Sequence, residues 1–247
     1  MIERTDHNAI ATLRLAHGKA SALDLELVEG LARAFAELAA DDNVRAAILT
    51  GSGSIFSAGV DLFRLVDGGR EYAERFYDAL ARMLLDLFSF PKPLVVAVNG
   101  HAIAGGCIFA LAGDYRLMSA GNARIGIPEL LVGVPFPPSV IEAVRFALPP
   151  QHLQMLMYTG RTVIPDEALR LGIIDEVTES LPERADAMAQ HFASLPQKTF
   201  TLAKRQVRDK AITRAKHYAH ELDDEVRELW CDAETHSRIR AYLAKLK

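Results

Sequence analysis

The chain has 247 residues, of which 50% are apolar and 24% are charged, and its 28 Lys and Arg against 32 Asp and Glu give a formal net charge of −4. This composition excludes a disordered, collagen-like or disulfide-stapled chain, and without a basic excess a nucleic-acid partner is not expected. Glu3 and Asp6 stand where a leader peptide would be apolar, and no stretch reaches about 18 consecutive apolar residues. We therefore expect a cytoplasmic protein without a membrane span.

The first half of the chain alternates strand and helix patterns. Strand patterns occupy residues 10–15, 44–50 and 94–98. Helical periods occupy residues 21–39, 72–88 and 104–111. The strands at 44–50 and 94–98 are apolar on both faces, which is typical of strands covered by helices. The first helix is predicted to begin with a capping box at Ser21–Asp24. This alternation predicts an α/β fold.

The last quarter of the chain shows only helical patterns. They begin at Leu181 and are interrupted at Pro196 and near Asp209. No linker rich in Gly or Ser precedes them, so we do not expect an independently folding unit. The predicted organisation is a core over residues 1–180 and a C-terminal helical region over residues 181–247.

Two glycine-bearing loops follow apolar strands, at residues 57–61 and 99–106. Glycine lets backbone N–H groups approach a ligand closely, and a helix N-terminus favours negative charge. Two converging N–H groups would stabilise the enolate of a thioester. On local sequence alone, an equally good interpretation is that Gly59, Gly105 and Gly106 serve only turns and close helix packing.

A single carboxylate, Glu129, stands within the apolar segment 125–131. Apolar surroundings raise the pKa of a carboxyl group, which suits a base that works near neutral pH. Local sequence alone favours a simpler interpretation, in which Glu129 follows Pro128 in the first turn of a helix and faces water.

Other chemistries are poorly supported by the sequence. A dinucleotide fingerprint beginning at Gly51 and Gly53 is broken because Phe56 stands at its third glycine position. No GxSxG serine elbow occurs, and Cys107 and Cys231 lack the spacing of a metal site, so we expect no metal. His101 is expected to be a hydrogen-bonded structural residue.

Taken together, five motifs give a more specific signal than any one of them. They are Ile55–Leu62, Lys92-Pro93 with Asn99-Gly100, Ala104–Cys107, Asp114–Arg116 and Gly126–Glu129. This combination resembles the crotonase, or enoyl-CoA hydratase/isomerase, superfamily, and is closest to the mitochondrial-type enoyl-CoA isomerases. The resemblance implies a crotonase-like ββα superhelix, a C-terminal helical region that builds a homotrimer or hexamer, an acyl-CoA thioester as substrate, and no metal or redox cofactor.

Position by position, the resemblance also implies roles for individual residues. The N–H groups of Val60 and Gly105 correspond to the oxyanion hole, and Glu129 corresponds to the catalytic glutamate. Residues implied to contact substrate or coenzyme A are Lys19, Ala20, Ala58, Asp61, Leu62, Ile108, Pro128 and Phe136.

One departure from the hydratases of the family bears on the reaction. Those hydratases use two glutamates, and Ile108 stands at the first of the two positions. A single base suffices to move a proton from C2 to C4, so we expect a Δ3,Δ2-enoyl-CoA isomerase. Three alternatives stay open: hydration with an acid relocated to Asp67, Glu71 or Glu74, thioester hydrolysis, and an acyl-CoA-binding trimer without catalysis.

Overall fold

Over residues 46–126, strands alternate between two sheets, with helices between successive strand pairs. The computed structural model describes residues 1–245. The strands are β1 (Ile2–His7), β2 (Ile10–Leu15), β3 (Ala46–Thr50), β4 (Ile55–Ser57), β5 (Leu94–Val98), β6 (His101–Ile103), β7 (Tyr115–Ser119), β8 (Ile125–Gly126), β9 (Thr162–Val163) and β10 (Glu176–Thr178). The helices are α1 (Leu25–Ala40), α2 (Leu62–Asp67), α3 (Gly69–Phe88), α4 (Gly105–Leu111), α5 (Pro138–Ala147), α6 (Pro150–Thr159), α7 (Pro165–Leu171), α8 (Leu181–Ser194), α9 (Gln197–Cys231) and α10 (Ala233–Ala244), with a 3₁₀ turn at Glu129–Val132.

The topology is a spiral of ββα turns. The larger sheet has the order β1-β2-β3-β5-β7-β10 and the smaller sheet the order β4-β6-β8-β9. The pairs β3/β5/β7 and β4/β6/β8 are parallel, so each turn adds one strand to each sheet before a helix returns the chain. This arrangement confirms the predicted α/β class and its superhelical form.

Both faces of the larger sheet are buried, which explains its uninterrupted apolar strands. In β3, Ala47 and Leu49 belong to the main core, which includes the buried faces of α1 and α3. Their neighbours Ala46 and Ile48 face the opposite way and pack with Leu181 and other residues of α8. Alternate residues of a strand point to opposite faces, so a strand between two helical layers has no polar side. The helices after residue 180 therefore begin with one that covers the sheet.

Two predicted helix boundaries were wrong. The N-cap of α1 is Asp24, whose side chain accepts a hydrogen bond from the Leu27 N–H, and not Ser21. Ser21 has φ = +42°, and its carbonyl accepts a hydrogen bond from the Ser57 hydroxyl. The predicted interruption near Asp209 does not occur, because α9 runs unbroken for 35 residues. Despite this length, no helix within residues 1–245 is apolar enough over a sufficient span to cross a membrane.

A buried ionic cluster attaches α9 to the core. Arg208 on α9 donates hydrogen bonds to the carbonyls of Phe88 (2.7 Å) and Ala112 (3.0 Å), at the ends of α3 and α4. Asp114 accepts from Arg208 (2.8 Å) on one oxygen and from Lys204 (2.6 Å) on the other. The side chains of Arg208 and Lys204 are 4% and 6% exposed, so both charges depend on Asp114 for compensation.

Asp114→Asn is therefore expected to lower the free energy of unfolding by about 3–5 kcal/mol, because it leaves two buried cations without a counter-charge. Urea unfolding followed by circular dichroism measures this loss. The control is Asp209→Asn, at an exposed position on α9, the helix that carries Lys204 and Arg208. This substitution should change the free energy of unfolding by less than about 0.5 kcal/mol. Equal stability of the two variants would contradict the anchoring role.

Candidate active site

A cavity of about 470 Å³ lies between the loops that follow β4 and β6, the segment that follows β8, and helix α10. Most of its wall is apolar: Ala20, Ala22, Ala58, Val60, Leu62, Phe63, Ile103, Ala104, Pro128, Leu131, Val132, Val134, Tyr242 and Leu243. Two carboxylates, Asp61 and Glu129, also line it. An apolar cavity with a few polar groups is typical of a small-molecule site.

Strand pairing in the smaller sheet brings these segments together. Strand β6 lies between β4 and β8 and runs parallel to both. Because neighbouring parallel strands end at the same edge of a sheet, the three following segments emerge side by side. A hydrogen bond from the Ala104 N–H to the Gly126 carbonyl (2.9 Å) extends this pairing beyond β6.

The loop after β4 presents a free backbone donor. Leu23 donates to the Gly59 carbonyl (2.8 Å) and accepts from the Asp61 N–H (2.9 Å). Val60 lies between these two bonded groups, so its own N–H faces away from Leu23. Within residues 1–245 this N–H has no hydrogen-bond acceptor, and Val60 lines the cavity.

The loop after β6 presents a second free donor at the start of α4. The N–H of Gly105 belongs to the first turn of the helix, where backbone donors have no intrahelical acceptor. The described residues supply no other acceptor for it. Gly59 has φ = +79°, and a β-carbon added there would lie 3.1 Å from the Gly105 nitrogen. Glycine at this position thus allows the two donor loops to touch.

Glu129 has the electrostatics of a base. Burial raises the pKa of its carboxyl from 4.5 to about 8. Its Oε2 atom is buried and has no hydrogen-bond partner among the described residues, although the residue as a whole is partly exposed. Glu129 does begin a helical turn after Pro128, as the simpler interpretation predicted, but its carboxyl faces the cavity and not open water.

The other carboxylate in the cavity wall has a structural hydrogen bond. Asp61 is the N-cap of α2 and accepts from the Arg64 N–H (3.0 Å). Asp67, Glu71 and Glu74, the positions considered for a relocated acid, are not among the residues that line the cavity. Glu129 is therefore the carboxylate there that has a free, buried oxygen.

The predicted site residues fall into three groups. Those that line the cavity are Ala20, Ala58, Val60, Asp61, Leu62, Pro128 and Glu129. Gly105 is not in the wall: it is buried and follows the wall residue Ala104 in the sequence. Three of the predicted contacts are not in the wall: Lys19 is exposed, Ile108 is packed in the main core, and Phe136 packs against that core from the outside.

Sequence reasoning missed several wall residues. Tyr242 and Leu243 come from α10, where the sequence shows only a helical period. Ala104 was assigned to a helix start, and nothing in an alanine indicates its φ of +54°.

His101 lies outside the wall, and its Nδ1 accepts a hydrogen bond from the Arg124 N–H (3.1 Å). Burial raises the pKa of the Cys107 thiol, which makes it unreactive.

Comparison with known proteins identifies the family. The sequence profile described as enoyl-CoA hydratase/isomerase matches residues 5–247. The chain belongs to the enoyl-CoA hydratase/isomerase family. A carnitinyl-CoA dehydratase from Citrobacter koseri is 34% identical over 194 residues, which cover 77% of this chain and 73% of the relative. A putative enoyl-CoA hydratase from Thermus thermophilus is 35% identical over 188 residues, 74% of this chain and 73% of the relative.

Solved structures of the family have the same fold. An enoyl-CoA hydratase from Mycobacterium marinum is 29% identical, with a TM-score of 0.82 over 91% of this chain and 99% of that chain. The human mitochondrial delta3-delta2-enoyl-CoA isomerase is 24% identical, with a TM-score of 0.91 over 99% of this chain and 97% of that chain. The second comparison shows that the C-terminal helices share the fold as well.

The raised pKa of Glu129 predicts a pH-dependent contribution to stability. Between pH 4.5 and about 8 the unfolded chain releases this proton and the folded chain retains it, so the free energy of unfolding falls as pH rises. Glu129→Gln removes this loss. We expect the variant to match the parent near pH 5 and to exceed it by an amount on the order of a few kcal/mol at pH 9.

Urea unfolding at both pH values measures the difference. Glu71→Gln, which changes an exposed carboxylate, is the matched control and should track the parent at both pH values. A Glu129→Gln variant that is no more stable than the parent at pH 9 would show that the carboxyl is not desolvated.

Proposed function

We propose that this protein is a Δ3,Δ2-enoyl-CoA isomerase. The observation that carries the proposal is the buried Oε2 atom of Glu129, which has no hydrogen-bond partner among the described residues and belongs to a carboxyl that faces an apolar cavity beside two free backbone donors. A base with a pKa of about 8 is well matched to proton abstraction near neutral pH.

In the proposed step, Glu129 removes a proton from C2 of a 3-enoyl thioester. The electron pair of the C–H bond spreads over C2, C4 and the thioester oxygen as a dienolate. The N–H groups of Val60 and Gly105 donate hydrogen bonds to that oxygen, where negative charge develops. Glu129 then returns the proton to C4, which leaves the double bond between C2 and C3. The step consumes no water and needs no metal or redox cofactor.

A single carboxylate favours isomerisation over hydration. Hydration requires a base for the water and an acid for the α-carbon. Asp61, the other carboxylate of the wall, already caps α2. The position of the first hydratase glutamate, which this chain lacks, is filled by Ile108, which is 1% exposed and packed in the core. A carboxylate there would be buried among apolar side chains.

We assign two parts of the cavity wall to the two parts of an acyl-CoA. Ala20 and Ala58 are neighbours, joined by a hydrogen bond from the Ala58 N–H to the Ala20 carbonyl (3.0 Å), and we assign them to coenzyme A, with the exposed Lys19 near its phosphates. Val132, in the same 3₁₀ turn as Glu129, and Tyr242 on α10 would contact the acyl chain, and we assign Ile108 and Phe136 to the apolar packing that supports them.

Hydration or dehydration is the second candidate function. It is favoured by the names of the relatives at 34–35% identity, a carnitinyl-CoA dehydratase and a putative enoyl-CoA hydratase. In that reaction Asp61 would have to leave its cap and act as the second acid. Loss of hydration in Asp61→Asn, which keeps the capping ability, would support this candidate.

The direct test is to incubate the protein with trans-3-hexenoyl-CoA and follow the conjugated 2-enoyl thioester by ultraviolet absorbance, with product masses from mass spectrometry. We expect conjugation without addition of water. Glu129→Gln should lower kcat about 100- to 10,000-fold, and Glu71→Gln should retain the parent rate. For the parent, kcat/KM should rise with pH to a plateau above about pH 8, because the carboxylate form of Glu129 is the active one. Hydration of 2-hexenoyl-CoA without any conjugation of the 3-enoyl ester would contradict the proposal.

The same proposal includes a homotrimer, or a hexamer made of two trimers. Apolar side chains that belong in an interface are exposed on α6 and α9, among them Tyr158 at 70% and Val207 at 66%. Sedimentation should give three or six times the 27.1 kDa of one chain. Val207→Glu is expected to shift the mass toward one chain, whereas Lys210→Glu, also exposed on α9, should leave it unchanged. A parent protein that sediments as a single chain would contradict the assembly.

A further inference from the structure

Ala104 touches all three segments that supply the proposed chemistry. Its N–H donates to the Gly126 carbonyl (2.9 Å), three residues before Glu129. Its carbonyl accepts from the Ile108 N–H (3.1 Å), in the first turn of α4. Its methyl group faces Gly59, because a β-carbon added to that glycine would lie 2.6 Å from the Ala104 Cβ.

The backbone of Ala104 is held in a conformation that L-residues rarely adopt. Its torsion angles are φ = +54° and ψ = −124°. Four residues other than glycine have positive φ in the described chain: Asn8, Ala9, Ser21 and Ala104. Of these, Ala104 is the one in the cavity wall. Strain of this kind persists only where the surroundings impose it, and it concentrates at functional sites.

A glycine would adopt these torsion angles without strain, so the β-carbon must supply something that offsets the cost. The structure shows what it contacts. The methyl group faces Gly59, and the next residue after Gly59 is Val60, the first donor. The next residue after Ala104 is Gly105, the second donor. The methyl group therefore fills the contact between the two donor loops and fixes their separation.

We propose that Ala104 is a positioning residue for the oxyanion hole. Its methyl group sets the spacing of the Val60 and Gly105 donors so that both reach one thioester oxygen, and its N–H holds that pair in register with the Glu129 segment. The inference rests on the proposed function, because it assigns these two donors to an enolate. It adds a side chain that does not itself react.

The test is Ala104→Gly, which removes both the strain and the spacer. We expect a thermal midpoint at least as high as that of the parent, because glycine relieves the positive φ. We expect kcat to fall about 10- to 100-fold from misplacement of the donors, with KM within about twofold. Ala104→Ser keeps the β-carbon and should retain kcat within about threefold. Ala9→Gly is the matched control: φ is +64° in an exposed turn, so stability should not fall and kinetics should not change.

The kinetic measurements should include exchange of the C2 protons of butanoyl-CoA for deuterium in D₂O. Mass spectrometry measures the deuterium that is incorporated. This exchange requires only enolate formation, so it reports on the donors even if the preferred reaction is not isomerisation. If the Ala104→Gly variant has the same rate of C2-proton exchange and the same kcat as the parent, the inference is overturned and the isomerase proposal stays intact. A joint loss of thermal midpoint and kcat would also overturn it, since the residue would then be merely structural. A parent protein that neither exchanges nor isomerises would refute the proposed function, and the positioning role would fall with it.

Discussion

Parallel pairing of β4, β6 and β8 is the constraint on which the site depends. Three segments distant in sequence become neighbours because their strands end at one edge of one small sheet. The smaller sheet shares the main core with the larger sheet, which has α8 on one face and α1 and α3 on the other. A shift in the register of β6 would displace the Gly105 donor from Val60 and from Glu129 at once. Backbone hydrogen bonding brings the parts of the proposed site together, and the spacing of the two donors is then assigned to the Ala104 methyl group.

The fold treats two poorly hydrated carboxylates in opposite ways. Asp114 lies between Lys204 and Arg208 and accepts hydrogen bonds from both, so its charge is compensated and it holds α9 in place. Glu129 has no cation partner among the described residues, and burial raises its pKa to about 8. The charge of Asp114 therefore fixes a helix to the core. The charged form of Glu129 is disfavoured by burial, and this makes the carboxylate a stronger base. Moving a cation next to Glu129 would stabilise the carboxylate and weaken it as a base.

The sequence predicted the strongest periodic elements and the position of Glu129. A short run such as β5, which is apolar on both faces, predicts a buried strand, and the alternation of strands with helices predicts helical layers on the faces of a sheet. The true N-cap of α1 was not predictable, because Ser21 and Asp24 are both good caps and a tertiary contact with Ser57 decides between them. The torsion angles of Ala104 and the arrival of Tyr242 at the cavity depend on long-range packing that no local pattern encodes.

The closure of the cavity by α10 has a consequence for biosynthesis. Tyr242 and Leu243 complete the wall, and the Arg240 side chain donates to the Val66 carbonyl (2.9 Å), which fastens this helix beside α2. A nascent chain that has already folded the Glu129 segment still lacks this wall, and its apolar cavity is open to water. Such an intermediate would not shield the proposed dienolate, and it would expose the apolar wall of the cavity. The proposed activity therefore requires α10, which is translated last among the described helices.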